Sequence, residues 1–240
     1  MRGAFLPAVV LTAACYQPAI PGGVPCAASG DCPGGAACVA GVCGGRGLDA
    51  ADPPIDTPPG SMVVVVGMDR AQLRDTEVWK VNPTTSYGDQ DHFSVDDGET
   101  GLLAFDLAGV PAGIAIARAT LRIVTTDQAS TDGGTVLLYR VLERWDEAAA
   151  TWMMRTTTDA WTSSGATPPA REPAPLAELR PNQKLTPFEV ALPVDVIEGW
   201  RAAPATNFGL AFVRGTSTQH VHIATRETGL ASTLTLELRP

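Results

Sequence analysis

The sequence predicts an all-β fold: a two-sheet, jelly-roll-like β-sandwich with one short helix, preceded by a small disulfide-rich segment and a Pro-rich linker. Three observations carry this. Polar and apolar residues alternate with a period of two in several segments, as in Thr233-Leu234-Thr235-Leu236-Glu237-Leu238. Other segments are short β-branched or apolar runs, such as Met62–Val66. Asp/Gly/Pro clusters such as Asp96-Asp97-Gly98 punctuate them as turns. At 45% hydrophobic and 18% charged, the 240-residue chain can bury a core.

Along the chain, the same alternation predicts strands at Ala119–Ile123 and Phe188–Leu192, and an apolar run predicts one at Val136–Leu142. Phe208, Leu210 and Phe212 are expected to share one face, as are Val221 and Ile223. The helix is predicted at Val194–Arg201, where Val196, Ile197 and Trp200 fall on one side between Pro193 and Pro204. Thr157–Lys184, rich in Pro, Ala, Thr and Ser, reads as a long, loosely ordered insertion between strands. Together these place one domain at residues 62–240.

The N-terminus reads as an export signal. Met1-Arg2 is a minimal positive region, Gly3–Ala14 is apolar, and Leu11-Thr12-Ala13-Ala14-Cys15 resembles a bacterial lipobox, with Leu one place further upstream than usual. Residues 1–15 are therefore expected to be signal and anchor, with lipid attached at Cys15. The alternative is an ordinary signal peptide cleaved nearby. Five cysteines are an odd count for an exported chain. Assigning Cys15 to lipid leaves Cys26, Cys32, Cys38 and Cys43 for two disulfides in a module spanning 26–43. A four-thiolate zinc site is the rival, but the spacing lacks paired C-x2-C hooks. Residues 44–61 hold four prolines and four glycines and read as an extended linker reaching roughly 50 Å at ~3 Å per residue. The expected location is the cell envelope. Tyr16 after Cys15 favours the outer membrane or cell surface.

The strand order is also familiar. Ser86-Tyr87-Gly88 and an acidic loop precede Leu102-Leu103-Ala104-Phe105-Asp106-Leu107 and Ala119-Thr120-Leu121-Arg122-Ile123. Then come Tyr139-Arg140-Val141, Arg144-Trp145-Asp146-Glu147, Thr151-Trp152, the helix ending in Trp200, Asn207-Phe208-Gly209-Leu210-Ala211 and Ala224-Thr225-Arg226-Glu227. Residues 62–240 thus resemble the DNRLRE family, which is related to bacterial carbohydrate-binding modules. Ser86 and Thr225 depart from that pattern, where Asn and Ser are frequent. The resemblance implies a jelly-roll sandwich with affinity for polysaccharide.

Charge narrows the partners. With 26 acidic against 17 basic residues and only two lysines, the chain has no basic stripe for nucleic acid or an anionic lipid surface. Membrane contact is expected through the lipid alone. The sequence contains no G-x-S-x-G elbow, H-E-x-x-H motif, phosphate loop or dinucleotide fingerprint, so an enzyme is not expected. The expected partner is a polysaccharide, with acidic ones favoured by the arginines below, or alternatively an envelope protein bound without glycan affinity. Arg122 and Arg140 are read as alternating outward on strands, with Lys80 and Arg144 near turns, where arginine's planar fork suits uronate carboxylates. Trp145, Trp152 and Trp200 are expected to pack inside, leaving Trp161 as the free stacking platform. Asp89, Asp91, Asp96 and Asp97, with Glu99, form an acidic loop that could hold a structural calcium, although a solvated turn is the simpler reading. His220 and His222 fall on one side of a strand, where they read as exposed polar positions or as a metal clamp. Arg226 is expected to pair with Asp106.

Overall fold

The computed structural model describes residues 61–128, 134–216 and 220–239, with the backbone of two short strands further upstream. The chain divides into two compact units, 1–57 and 58–240, at a point inside the segment read as linker. In the first, β1 (Cys38–Val39) pairs antiparallel with β2 (Val42–Cys43), setting Cys38 opposite Cys43. Cys15, Cys26, Cys32 and most of the linker lie outside the described residues.

The second unit is a β-sandwich. One sheet has four strands in the order β10 (Pro187–Leu192), β7 (Ala115–Val124), β13 (Thr233–Arg239), β3 (Met62–Val66). The other has five: β4 (Leu73–Trp79), β6 (Glu99–Phe105), β11 (Leu210–Arg214), β8 (Val136–Arg140) and β9 (Ala177–Leu179). A separate ladder joins β5 (His92–Val95) to β12 (Val221–Ala224). Every pairing is antiparallel, so hydrophobic alternation fixes which side faces in.

Between the two sheets lie Leu121, Ile123, Leu234, Leu236 and Leu238 from one side and Leu73, Leu103, Phe105, Leu138, Leu210 and Phe212 from the other. Phe93, Val95, Val221 and Ile223 add to this core, with Phe93 edge-on to Phe212 at 5.2 Å. Gly101 makes room for it, since a Cβ there would meet the Phe93 ring at 2.2 Å. The helix α1 (Val194–Ala202) buries Ile197 and Trp200 as its periodicity predicts. It is pinned to the start of β7 by Glu198, which accepts the Ile116 N–H, and by Arg201, which donates to Pro111 and Ile114 carbonyls.

A second hydrophobic cluster corrects the sequence reading. The outer face of the five-stranded sheet is covered, not solvated. Val78, Leu102, Ala104, Tyr139 and Ala211 pack there against Trp145, Ala150, Trp161, Ala166 and Ala170 from the segment between β8 and β9. The stretch expected to be a loose insertion is instead tied along β8, with Leu142 N–H donating to Ala170, Glu172 N–H to Arg140 and Leu176 N–H to Leu138. Its composition conceals this because the contacts come from isolated Trp and Ala residues without a period. Phe208 also departs from expectation. Gly209 has φ +77°, which breaks the alternation, and Phe208 packs with this outer cluster while Leu210 and Phe212 face the main core.

Candidate functional site

A cleft of about 450 Å³ opens among the described residues. One side of it is the two-residue hairpin joining β5 to β6, where Asp96 and Glu99 exchange backbone hydrogen bonds and Gly98 takes φ +78°. Asp96, Asp97, Glu99 and Thr100 come from this turn, and Val213, Arg214 and Gly215 from the end of β11. Trp152, Thr167 and Arg171 come from the segment that covers the sheet. Trp152 is half-buried and packs against Gly165, where a Cβ would collide with its ring at 2.4 Å. Arg171 lies over the Tyr139 ring at 3.9 Å, and burial lowers its guanidinium below the usual value. Arg214 donates to Asp96 at 2.9 Å.

At one edge of the cleft, His220 sits between two carboxylates. Its Nδ1 is 3.1 Å from Glu99 Oε2 and its Nε2 is 3.2 Å from Asp96 Oδ2. Glu99 is buried, and that burial, followed by the nearby charge of Glu77, raises its carboxyl above the usual range. His222 stacks on His92 with ring centroids 4.5 Å apart. Burial, then the neighbouring His92 and His220, push His222 down to about 4, so it is neutral at neutral pH.

A third polar group lies elsewhere on the unit. Asp75 is 1% exposed; its Oδ2 accepts the Arg226 N–H while Oδ1 has no partner. Burial lifts its carboxyl to about 7. Arg226 reaches Glu147 at 2.6 Å and the Leu73 carbonyl at 2.9 Å. The expected pairing of Arg226 with Asp106 is therefore corrected: Asp106 is exposed and caps the Ala108 N–H. This network holds the Thr225–Thr228 turn against β4 and is structural.

The remaining expected site residues scatter. Arg122 is on the outer face of the four-stranded sheet, opposite Glu189 and Thr233. Arg140 does not alternate outward. It shares the inward side with Val136 and Leu138 at the end of β8, and its Nε is buried without a partner. The two arginines cannot form one cationic face. Lys80 is exposed beside the Gly98 turn, and Arg144 is 69% exposed and paired with Asp146 at 3.2 Å. Trp161 is not a free platform. It is 5% exposed and its indole N–H donates to the Thr151 carbonyl at 2.9 Å. Trp145 and Trp200 are buried as expected. The four aspartates proposed for calcium do not converge, because β5 separates Asp91 from Asp96. Asp91 instead contacts His92 at 2.6 Å, and Asp89 accepts from Gln90.

Of the acidic loop, Asp96, Asp97 and Glu99 reach the cleft. Arg171, Arg214 and Thr167 were not legible as site residues, because nothing local in the sequence distinguishes them from other surface positions. A second concavity of about 270 Å³ includes Arg74 and Asn207, but these already donate to the Trp145 and Phe105 carbonyls.

The cleft of this sandwich combines an aromatic, hydroxyls and both signs of charge, and the buried Asp75–Arg226 network lies apart from it. The model of carbohydrate-binding module family 96 matches residues 68–238, and the chain belongs to that family. No curated protein matches the chain.

Proposed function

We propose that this protein is an exported, lipid-anchored, non-catalytic lipoprotein of the cell envelope whose sandwich binds a polysaccharide in the Asp96–Arg171–Arg214 cleft. Family membership supports the carbohydrate ligand. The observation that carries the location is the convergence of Trp152, Asp97, Thr167, Arg171 and Arg214 in one open cleft. Aromatic carbons cover sugar C–H groups, carboxylates accept sugar hydroxyls, and guanidinium groups donate to ring and hydroxyl oxygens. Arg171 and Arg214 are the donors a uronate carboxylate would meet, opposed by Asp96 and Asp97. A neutral, hydroxyl-rich chain therefore fits the cleft better than a strongly acidic one. The lipobox-like Leu11–Cys15 and the odd cysteine count support the anchor.

Retention of the protein on a panel of neutral and uronic-acid polysaccharides, at low and moderate salt, tests this reading. Salt-tolerant retention on a neutral glycan is expected. Retention on acidic glycans that is lost with salt would place the ligand at cations instead. No retention on any glycan would favour the envelope-protein alternative.

A further inference from the structure

We infer that Asp96, Glu99 and His220 form a binding site for a borderline divalent transition metal of the zinc class at the rim of the cleft. One oxygen from each carboxylate and one ring nitrogen of His220 all lie within 4.8 Å of one another. The imidazole itself argues for a cation. Both of its nitrogens face carboxylate oxygens, at 3.1 and 3.2 Å. A neutral imidazole carries one N–H, so its other nitrogen directs a lone pair at an oxygen lone pair. A metal ion held by that nitrogen relieves the contact, as does a proton shared between the ring and a carboxylate.

Charge balance points the same way. Glu77 is 7% exposed and pairs with Gly101 across the β4–β6 ladder, so it lies diagonally from Glu99, two residues along, on the same side of the sheet. Its Oε2 accepts the Ser94 N–H. Asp96, Glu99 and Glu77 thus bring three carboxylates together against Arg214, which is ion-paired with Asp96, and Arg171 of the same cleft. Buried negative charge in such excess is costly unless a cation joins it. Arg214 occupies Asp96 Oδ1, which leaves Oδ2 toward His220.

The mixed nitrogen and oxygen donors select the metal class. Imidazole with carboxylate suits zinc and its neighbours, whereas calcium takes six to eight oxygens. Zinc bonds of about 2.0–2.2 Å require the donors to close slightly, which the 54% exposed His220 side chain is free to do. With three protein ligands, a fourth position stays open toward the cleft, since Asp96 and Glu99 also line it. The ion would be available there to a ligand oxygen.

The test is titration of the sugar-free protein with Zn²⁺, by calorimetry and thermal melting at pH 7.5, beside Ca²⁺ at equal concentration. Zn²⁺ is expected to bind with one-to-one stoichiometry and raise Tm, with no shift from Ca²⁺. His220→Ala should weaken Zn²⁺ binding at least tenfold and abolish the Tm shift, while the His92→Ala variant keeps both. An absence of Zn²⁺ heat, or binding unchanged in His220→Ala because cysteine thiolates carry it, would overturn the site. Metal binding is read without sugar, so its failure is distinguishable from failure of the glycan reading.

Discussion

Replacing Asp75 with asparagine should flatten the stability–pH profile. Asp75 is almost fully buried, and its carboxyl is lifted to about 7 from an ordinary value of 3.8. The causes are burial first, partly offset by the Arg226 N–H, then repulsion from Glu227 and Glu147, with Arg226 attracting. A carboxyl raised in the folded state stays protonated there at pH values where the unfolded chain has released its proton. Its contribution is fully present below about 3.8 and is lost as pH rises through about 7. At ~1.4 kcal/mol per pH unit, the folded protein should lose roughly 2.5 kcal/mol between pH 5 and 8 through this group. In Asp75→Asn the amide oxygen can still accept the Arg226 N–H, but the side chain has no proton to release. Urea unfolding of both proteins at pH 5, 6, 7 and 8 isolates the difference in slope from any fixed cost of the substitution. The variant should lose stability more slowly over this range, retaining the same-sign part from Glu147, which burial also raises. A difference between the two proteins that stays constant with pH would refute this reasoning.

Other consequences follow from the buried contacts. Arg226→Ala leaves the half-buried Glu147 carboxylate without its ion-pair partner, keeping only the Asp75 N–H, and should cost about 3 kcal/mol by urea denaturation. Asp106→Ala should cost no more than ~1 kcal/mol, because its carboxylate serves only a local turn. Trp161→Ala should cost about 3–5 kcal/mol, whereas an exposed stacking residue would cost under about 0.5, so the same melt distinguishes core from platform.

The sandwich was legible in the sequence wherever a strand keeps one face buried and one polar. β13 and β10 show that period plainly, and β7 does so from Ala119 onward. α1 was legible from Ile197 and Trp200 between two prolines. What escaped is what lacks a local period. The covering segment between β8 and β9 buries Trp161, Ala166 and Ala170 through scattered contacts, and its Pro, Thr and Ser content resembles that of a loop. The cleft was half legible. Asp96 and Asp97 stood out as an acidic turn, but Arg171 and Arg214 join them from 74 and 117 positions further along the chain, counting Asp97 to Arg171 and Asp97 to Arg214. Arg140 shows the same limit. Its neighbours Tyr139 and Val141 are both apolar and both buried on the covered outer face, so alternation places the arginine inward. Assuming that face to be solvated assigns the parity backwards.

The most direct test of the cleft is affinity electrophoresis of wild-type, Asp97→Ala and Arg122→Ala proteins in gels containing the polysaccharide that retains the wild type. Asp97 is exposed in the cleft and Arg122 lies on the far sheet, so both variants should melt as the wild type does. Loss of a hydrogen bond from a sugar hydroxyl to Asp97, at about 1 kcal/mol, predicts retardation weakened roughly fivefold in Asp97→Ala and unchanged in Arg122→Ala. The reverse pattern, unchanged retardation in Asp97→Ala with a loss in Arg122→Ala, would contradict the cleft and move the binding surface to the outer face of the four-stranded sheet.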